Sequence, residues 1–200
     1  MCLDWYGYCK YFEIKQMNFE QKIVKALNQH ESKNVDKFSA FISSIRFLVF
    51  FWLFVISFVL YVSPTIGILV LINLIIVFVL HFVVSEAILK SGARFFSLQR
   101  MRPYKKFPLE IRGIGRRFSD SSFPSSHMAS MVGGFFVLIR FVPSLLPLAI
   151  VVTLLLGWSR IRNGMHYPSD IIAGILLGLL YGYLTIHVLN LFVFRLIYGY

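Results

Sequence analysis

Five apolar runs, at about 47–62, 66–89, 127–142, 145–160 and 168–192, dominate this chain and restrict it to a fold that can bury them. Crossing about 30 Å of hydrocarbon takes roughly 20 helical residues. With 58% hydrophobic residues, 14% charged ones and a mean hydropathy of +0.72, the chain is too apolar for a soluble domain of ordinary composition. The expected fold class is all-α: an integral membrane bundle of about five transmembrane helices.

Ahead of the first run, residues 18–45 place Phe19, Ile23 and Leu27, then Val35, Phe38, Phe41, Ile42 and Ile45 at helical spacing, with lysines and acids between them. This predicts one or two amphipathic helices, broken near "HESKN". They either lie at the membrane surface or pack on the chain's own bundle. The chain therefore divides into an N-terminal amphipathic interfacial segment, 1–45, and a membrane-embedded domain, 46–200. Cys2 and Cys9 have no Cys or His partners at ligand spacing and suggest neither a zinc site nor a disulfide framework. "MCLDWYGYCKYFEIK" lacks the apolar core and cleavage site of a signal peptide, so none is expected.

Each crossing switches side. Five crossings therefore gather the N-terminal segment, the polar stretch 90–126 and the short stretch 159–169 on one face. Three polar clusters meet there: "RMRP" at 100–103, "FPSSH" at 123–127, and "SRIRNGMHYPSD" at 159–170. The last sets Ser159, Arg160, His166 and Asp170 in the pattern S-R-x5-H-x3-D.

Together these clusters resemble the signature of the type 2 phosphatidate phosphatase superfamily, whose fold is shared with bacterial acid phosphatases and vanadium haloperoxidases. That signature runs K-x6-R-P, P-S-G-H, S-R-x5-H-x3-D. The third part matches completely, and the second matches with Ser126 in place of glycine. In the first, Arg102-Pro103 fits, but Phe95 stands where lysine is expected, and Arg94, one residue upstream, is the favoured substitute over Lys90 and Arg100.

The resemblance implies a membrane lipid phosphatase in which His166 forms a phosphohistidine, Asp170 orients it and His127 protonates the leaving group. The residue chemistry agrees with that assignment. Planar guanidinium forks suit phosphate oxygens, which makes Arg102 and Arg160 candidate phosphate ligands. A helix start directs free N–H groups and a positive dipole end at an anion. There Ser125, by hydroxyl, and Ser126, by backbone N–H, would grip the phosphate. Pro168 suits the first position of the fifth helix, which puts Asp170 in its first turn within reach of His166. With arginines and N–H groups neutralising the charge, no metal and no cofactor is implied. The expected partners are a lipid phosphate substrate and membrane lipids. Phosphatidate, phosphatidylglycerol phosphate and polyprenyl diphosphates all fit such a site.

Plainer readings exist for each residue. Arg102 and Arg160 could anchor span ends, and His166 with Asp170 could simply cap a helix at the interface. His81 and His187, inside apolar runs, read as neutral, hydrogen-bonded bundle residues, and His30 reads as solvated. Lys105, Lys106, Arg116 and Arg117 make the long loop basic, which suits anionic headgroups or recruitment of an anionic lipid substrate. The net charge of +11 comes without aromatic-basic interleaving on a soluble domain, so nucleic acid is not an expected partner. A phosphotransferase using the same site and a non-catalytic lipid-binding protein are the alternatives. The basic residues concentrate on the motif face, which the positive-inside rule assigns to the cytoplasm. The family resemblance points to the external face, and the balance is struck slightly on that side.

Overall fold

The computed structural model describes residues 17–118 and 120–198, whose regular structure is all helical, with no strand among them. Cys2 and Cys9 lie outside the described residues. Two short helices, α1 (Phe19–Gln29) and α2 (Lys33–Ile42), precede the bundle. A capping box starts α1: the Asn18 side chain accepts from the Gln21 N–H, and the Gln21 side chain accepts from the Asn18 N–H, both at 3.0 Å. The break between the two helices falls at His30–Ser32, within the predicted "HESKN".

The face these two helices bury against the bundle is largely polar. Gln21, Val24, Asn28, Ser39 and Ile42 turn inward, whereas Phe19, Phe38 and Phe41 stay exposed. Hydrogen bonding explains the choice. Asn28 donates to the carbonyls of Arg112 (2.9 Å) and Arg162 (2.7 Å) and accepts from the Arg112 N–H (2.7 Å). Ser39 donates to the Asn163 side chain at 2.7 Å. These groups would each cost free energy if buried without partners, and the apolar stripe is left facing outward.

The bundle consists of α3 (Ile45–Val62), α4 (Pro64–His81), α7 (Ser126–Phe141), α8 (Leu146–Arg162) and α9 (Pro168–Tyr198). Past His81 the α4 rod continues as a π-helical stretch, Phe82–Lys90, and then as α5 (Ser91–Phe95). Pro64–Phe95 forms one 32-residue helical rod, about 48 Å at 1.5 Å per residue, longer than the hydrocarbon it crosses. A four-residue helix, α6 (Pro103–Lys106), lies in the long loop.

Four helices, including this rod, are long and apolar enough to span a membrane; α7, at 16 residues, is shorter. It can be short because protein surrounds it. Met128, Ala129, Met131 and Val137 on α7 are fully buried, and α4, α8 and α9 pack around it. Small residues bring α7 and α9 together: a Cβ on Gly178 would stand 2.7 Å from the Ala129 carbonyl oxygen and 2.9 Å from the Gly133 nitrogen. The lipid-side surface is apolar in turn, with Phe50, Phe54, Phe58 and Leu154 exposed.

At one end of the bundle the loop 96–125, α1 and α2 fold over the tips of α8 and α9. A small core of Val24, Tyr104, Ile111, Met165 and Tyr167 holds them together. Arg162, almost fully buried, donates to the carbonyls of Leu27 and His30 and pairs with Asp36 at 2.7 Å. The turn linking α8 to α9 passes through Gly164 at φ +69°, where a Cβ would meet the Arg112 carbonyl oxygen at 2.8 Å. All three motif clusters are thereby drawn to this end.

Candidate active site

The stretch from Arg160 to Asp170 fixes the centre of the site. Arg160 lies in the last turn of α8, Gly164 reverses the chain, and Pro168 opens α9. His166 is thus held at the floor of the end face, 1% exposed. Its Nδ1 donates to the Ser122 carbonyl at 2.7 Å, which leaves the lone pair on Nε2. Two guanidiniums face that lone pair, Arg160 at 2.9 Å and Arg102 at 3.3 Å. Burial, then the charges of Arg160 and Arg102, hold the His166 imidazolium well below its ordinary titration range. The ring is therefore neutral, with Nε2 as its unprotonated nitrogen.

Asp170 differs from its sequence-based expectation. Its carboxylate is 3.7 Å from His166 Nδ1, beyond hydrogen-bond length. Instead Oδ2 accepts from the Tyr167 N–H at 2.8 Å, and Oδ1 accepts from Arg100 at 2.6 Å. Arg100 also donates to Ser169 and pairs with Glu20 of α1. The carbonyl of Ser122 selects the tautomer, while Asp170 adds nearby negative charge.

Lys90 also corrects the expectation. Arg94 is exposed and stands apart from the cluster. Lys90 is the basic side chain of that segment that enters, 2.8 Å from Asp120 and 3.0 Å from Glu86. Residues 91–101, the end of the long rod and the turn after it, separate Lys90 from Arg102, so a six-residue spacing could not find it. Asp120 in turn pairs with Arg102 at 2.7 Å. Burial opposes the Asp120 charge, but its hydrogen bonds to Lys90 and Arg102 and their positive charges outweigh this and hold its carboxyl down at about 2.

The "FPSSH" turn supplies the remaining groups. Ser125, fully buried, has a hydroxyl with no partner, and its N–H donates to the Asp170 carbonyl at 3.1 Å. Ser126 starts α7 and turns its hydroxyl to Glu86. His127 is 9% exposed and its Nε2 is unpartnered. Above the cluster sits the ring of Phe118, with the guanidinium carbons of Arg102 and Arg160 at 5.2 and 5.7 Å from its centroid.

His127 and Ser126 also form the polar end of an apolar cavity of about 550 Å3 between α3, α4 and α7. His81 lines this cavity with an unpartnered Nδ1, and His187 stands exposed beside Tyr183. His81 differs in this from the hydrogen-bonded bundle histidine that the sequence suggests, and His187 differs in being exposed.

Buried donors and acceptors are ordinarily satisfied. Here Ser125 Oγ, His127 Nε2 and Arg160 Nε are not. Such a concentration beside a neutral imidazole and two guanidiniums fits a ligand with several anionic oxygens. Among the described residues, no group of three or more His, Cys, Asp or Glu side chains is placed to hold a metal ion. Sequence reasoning did not single out Phe118, Asp120 or the Ser122 carbonyl, because no motif spacing marks them.

A family model described as the PAP2 superfamily matches residues 28–193. The bacitracin transport permease protein BcrC of Bacillus licheniformis is 33% identical over 102 residues, 51% of this chain and 49% of that protein. A lipid A 1-phosphatase of Rhizobium johnstonii is 40% identical over 65 residues, 32% of this chain and 26% of that one. The matched stretches thus span about half, or less, of these curated relatives. Two crystal structures share the fold. The first transmembrane PAP2 type phosphatidylglycerolphosphate phosphatase from Bacillus subtilis has a TM-score of 0.62 at 22% identity, covering 86% of this chain and 84% of that one. Aquifex aeolicus LpxE has a TM-score of 0.61 at 19% identity, covering 87% and 98% respectively.

The His166 geometry sets a pH dependence. Folding holds the ring neutral, so below about pH 6.5 the unfolded chain binds a proton that the folded protein does not. Stability therefore falls as pH drops below that value, by up to about 1.4 kcal/mol per pH unit for this one group. Denaturant unfolding in detergent should show a shallower loss between pH 6.5 and 5 for His166→Gln than for the wild type. Identical slopes would contradict the assignment.

Proposed function

We propose that this chain, which belongs to the PAP2 superfamily, is a membrane lipid phosphatase that works through a phosphohistidine on His166. The observation that carries this reading is the His166 ring itself, with Nδ1 committed to Ser122 and the Nε2 lone pair facing Arg160 and Arg102. A phosphorus atom placed before Nε2 would have its oxygens among those two guanidiniums, Lys90 and the free hydroxyl of Ser125. The protein's task is then positioning and neutralisation of developing oxygen charge.

In the first step, the N–P bond forms at Nε2 as the bond from phosphorus to the lipid oxygen breaks. His127, at the mouth of the apolar cavity, gives that leaving oxygen its proton. In the second, His127 takes a proton from water, which attacks phosphorus and releases phosphate with the original imidazole. The cavity between α3, α4 and α7 supports a lipid substrate, since it would seat an apolar chain at the same end of the bundle as His127. Arginines and N–H groups hold the charge in this scheme, so activity is proposed to be independent of metal. Phosphatidate, phosphatidylglycerol phosphate and polyprenyl diphosphates remain the substrate classes considered. The basic loop is proposed to recruit them.

Release of phosphate from a lipid phosphate by the purified protein should persist in chelator and be inhibited by vanadate. His166→Ala should abolish it, and His127→Ala should lower kcat by roughly 10²–10⁴-fold. Full activity in His166→Ala would sink the mechanism. Phosphoryl transfer to an added acceptor, seen by mass spectrometry, would replace hydrolysis as the reaction.

We place the site on the external face of the membrane. In a background lacking Cys2 and Cys9, a cysteine introduced by Pro108→Cys, in the exposed loop, should react with an impermeant thiol reagent in intact cells. Labelling only after lysis would put the site in the cytoplasm.

A further inference from the structure

Beside the His166 cluster lies a second, smaller pocket of about 120 Å3, lined by Ser44, Ile45, Arg46, Arg116, Phe118 and Arg160, among others. Three arginines thus line a space that holds several water-sized groups, Arg160 buried and Arg46 and Arg116 exposed. Elsewhere on this face, Lys90, Arg100, Arg102, Arg112 and Arg162 each form an ion pair with a carboxylate. The three arginines of this pocket have no such pair among the described residues. Arg160 is 2% exposed, and its Nε has no hydrogen-bond partner.

The backbone adds to the same charge. Ser44 is the N-cap of the 18-residue α3, and its hydroxyl is already occupied by the Phe47 N–H at 3.1 Å. The first-turn N–H groups of Ile45 and Arg46 have no partner within the helix, and the positive end of the helix dipole lies at this pocket. Like charges gathered without a carboxylate repel one another, and a polyanion relieves that repulsion.

The position of the pocket identifies the anion. Arg160 is a wall of this pocket and also donates toward His166 Nε2 at 2.9 Å, so groups at the two places would share one guanidinium. On its other side, Ile45 lines both this pocket and the apolar cavity between α3, α4 and α7. The order is then apolar chain, second pocket, His166.

We propose that the pocket of Arg46, Arg116 and Arg160 is a second phosphate subsite, and that the substrate is a lipid whose headgroup carries two adjacent phosphates. The inner phosphate, bearing the chain, lies against Arg46, Arg116 and the start of α3. The outer phosphate meets His166. Within the basic loop, Arg116 thereby contributes to headgroup selection, whereas Lys105 and Lys106 remain on the surface.

This proposal rests on the phosphatase reading, and a binding measurement separates the two. Methylenebisphosphonate and methylphosphonate, two probes with non-hydrolysable bonds, would be titrated calorimetrically into the full chain in detergent. The wild type should bind the bisphosphonate at least about tenfold more tightly. Arg46→Gln/Arg116→Gln should bring that ratio close to one, and Arg46→Lys/Arg116→Lys should retain part of it. No preference in the wild type, whether through equal or absent binding, or a preference unchanged in the glutamine double variant, would overturn the subsite. Binding of the glutamine variant to phosphatidylglycerol vesicles provides a further arm. If it is lost while the bisphosphonate preference survives, these arginines serve the membrane surface and the subsite is overturned. The phosphatase reading fails separately, if His166→Ala remains active.

Discussion

A neutral imidazole pressed against two guanidiniums in an almost fully buried cluster is the contact on which the candidate site depends. Arg160 and Arg102 both face His166 Nε2, and both are 2% exposed. Burying charge near a titratable ring is costly unless the ring gives up its own charge, and the Ser122 carbonyl directs which nitrogen keeps the proton. The Nε2 lone pair and the guanidiniums that face it are consequently fixed by the protein's own contacts. Asp120 and the carbonyls of Met165 and Ser121 take the remaining hydrogens of Arg102, and Lys90 completes the charge pattern through Asp120.

The bundle holds this contact in place. α7 can be short because α4, α8 and α9 cover it, and glycines on α7 and α9 let those two backbones approach closely. The N-terminus of α7 therefore ends in protein, beside His166, and does not reach the membrane surface alone. The small helices α1 and α2 close the same end through Asn28, Ser39 and Arg162. Glu20 of α1 extends this closure through Arg100 to Asp170, so the N-terminal segment and the turn that carries His166 share one hydrogen-bonded network.

Much of this was legible in the sequence. Long apolar runs predict the five bundle helices, although the rod and α9 run about six residues further and α7 is too short to span by length, and S-R-x5-H-x3-D marks the turn that carries His166. The remainder depended on three-dimensional routes that linear spacing does not record. Lys90 is passed over for Arg94 because residues 91–101, the end of the rod and the turn after it, put it farther from Arg102 than the six-residue spacing. The partner of Asp170 escaped because Arg100 competes for its carboxylate from a segment about seventy residues away in the chain. The apolar periodicity of α1 and α2 leaves open whether they lie at the membrane surface or on the bundle; the inward face is set by Asn28 and Ser39, which satisfy buried carbonyls and side chains that periodicity cannot see.

Rapid quenching during turnover, followed by mass spectrometry of the peptide containing His166, tests the central claim most directly. His127→Ala should accumulate a phosphoryl adduct on His166 with a substrate whose leaving group needs no protonation, and His166→Gln should carry none. An adduct on another side chain, or turnover by His166→Gln without any adduct, would contradict it.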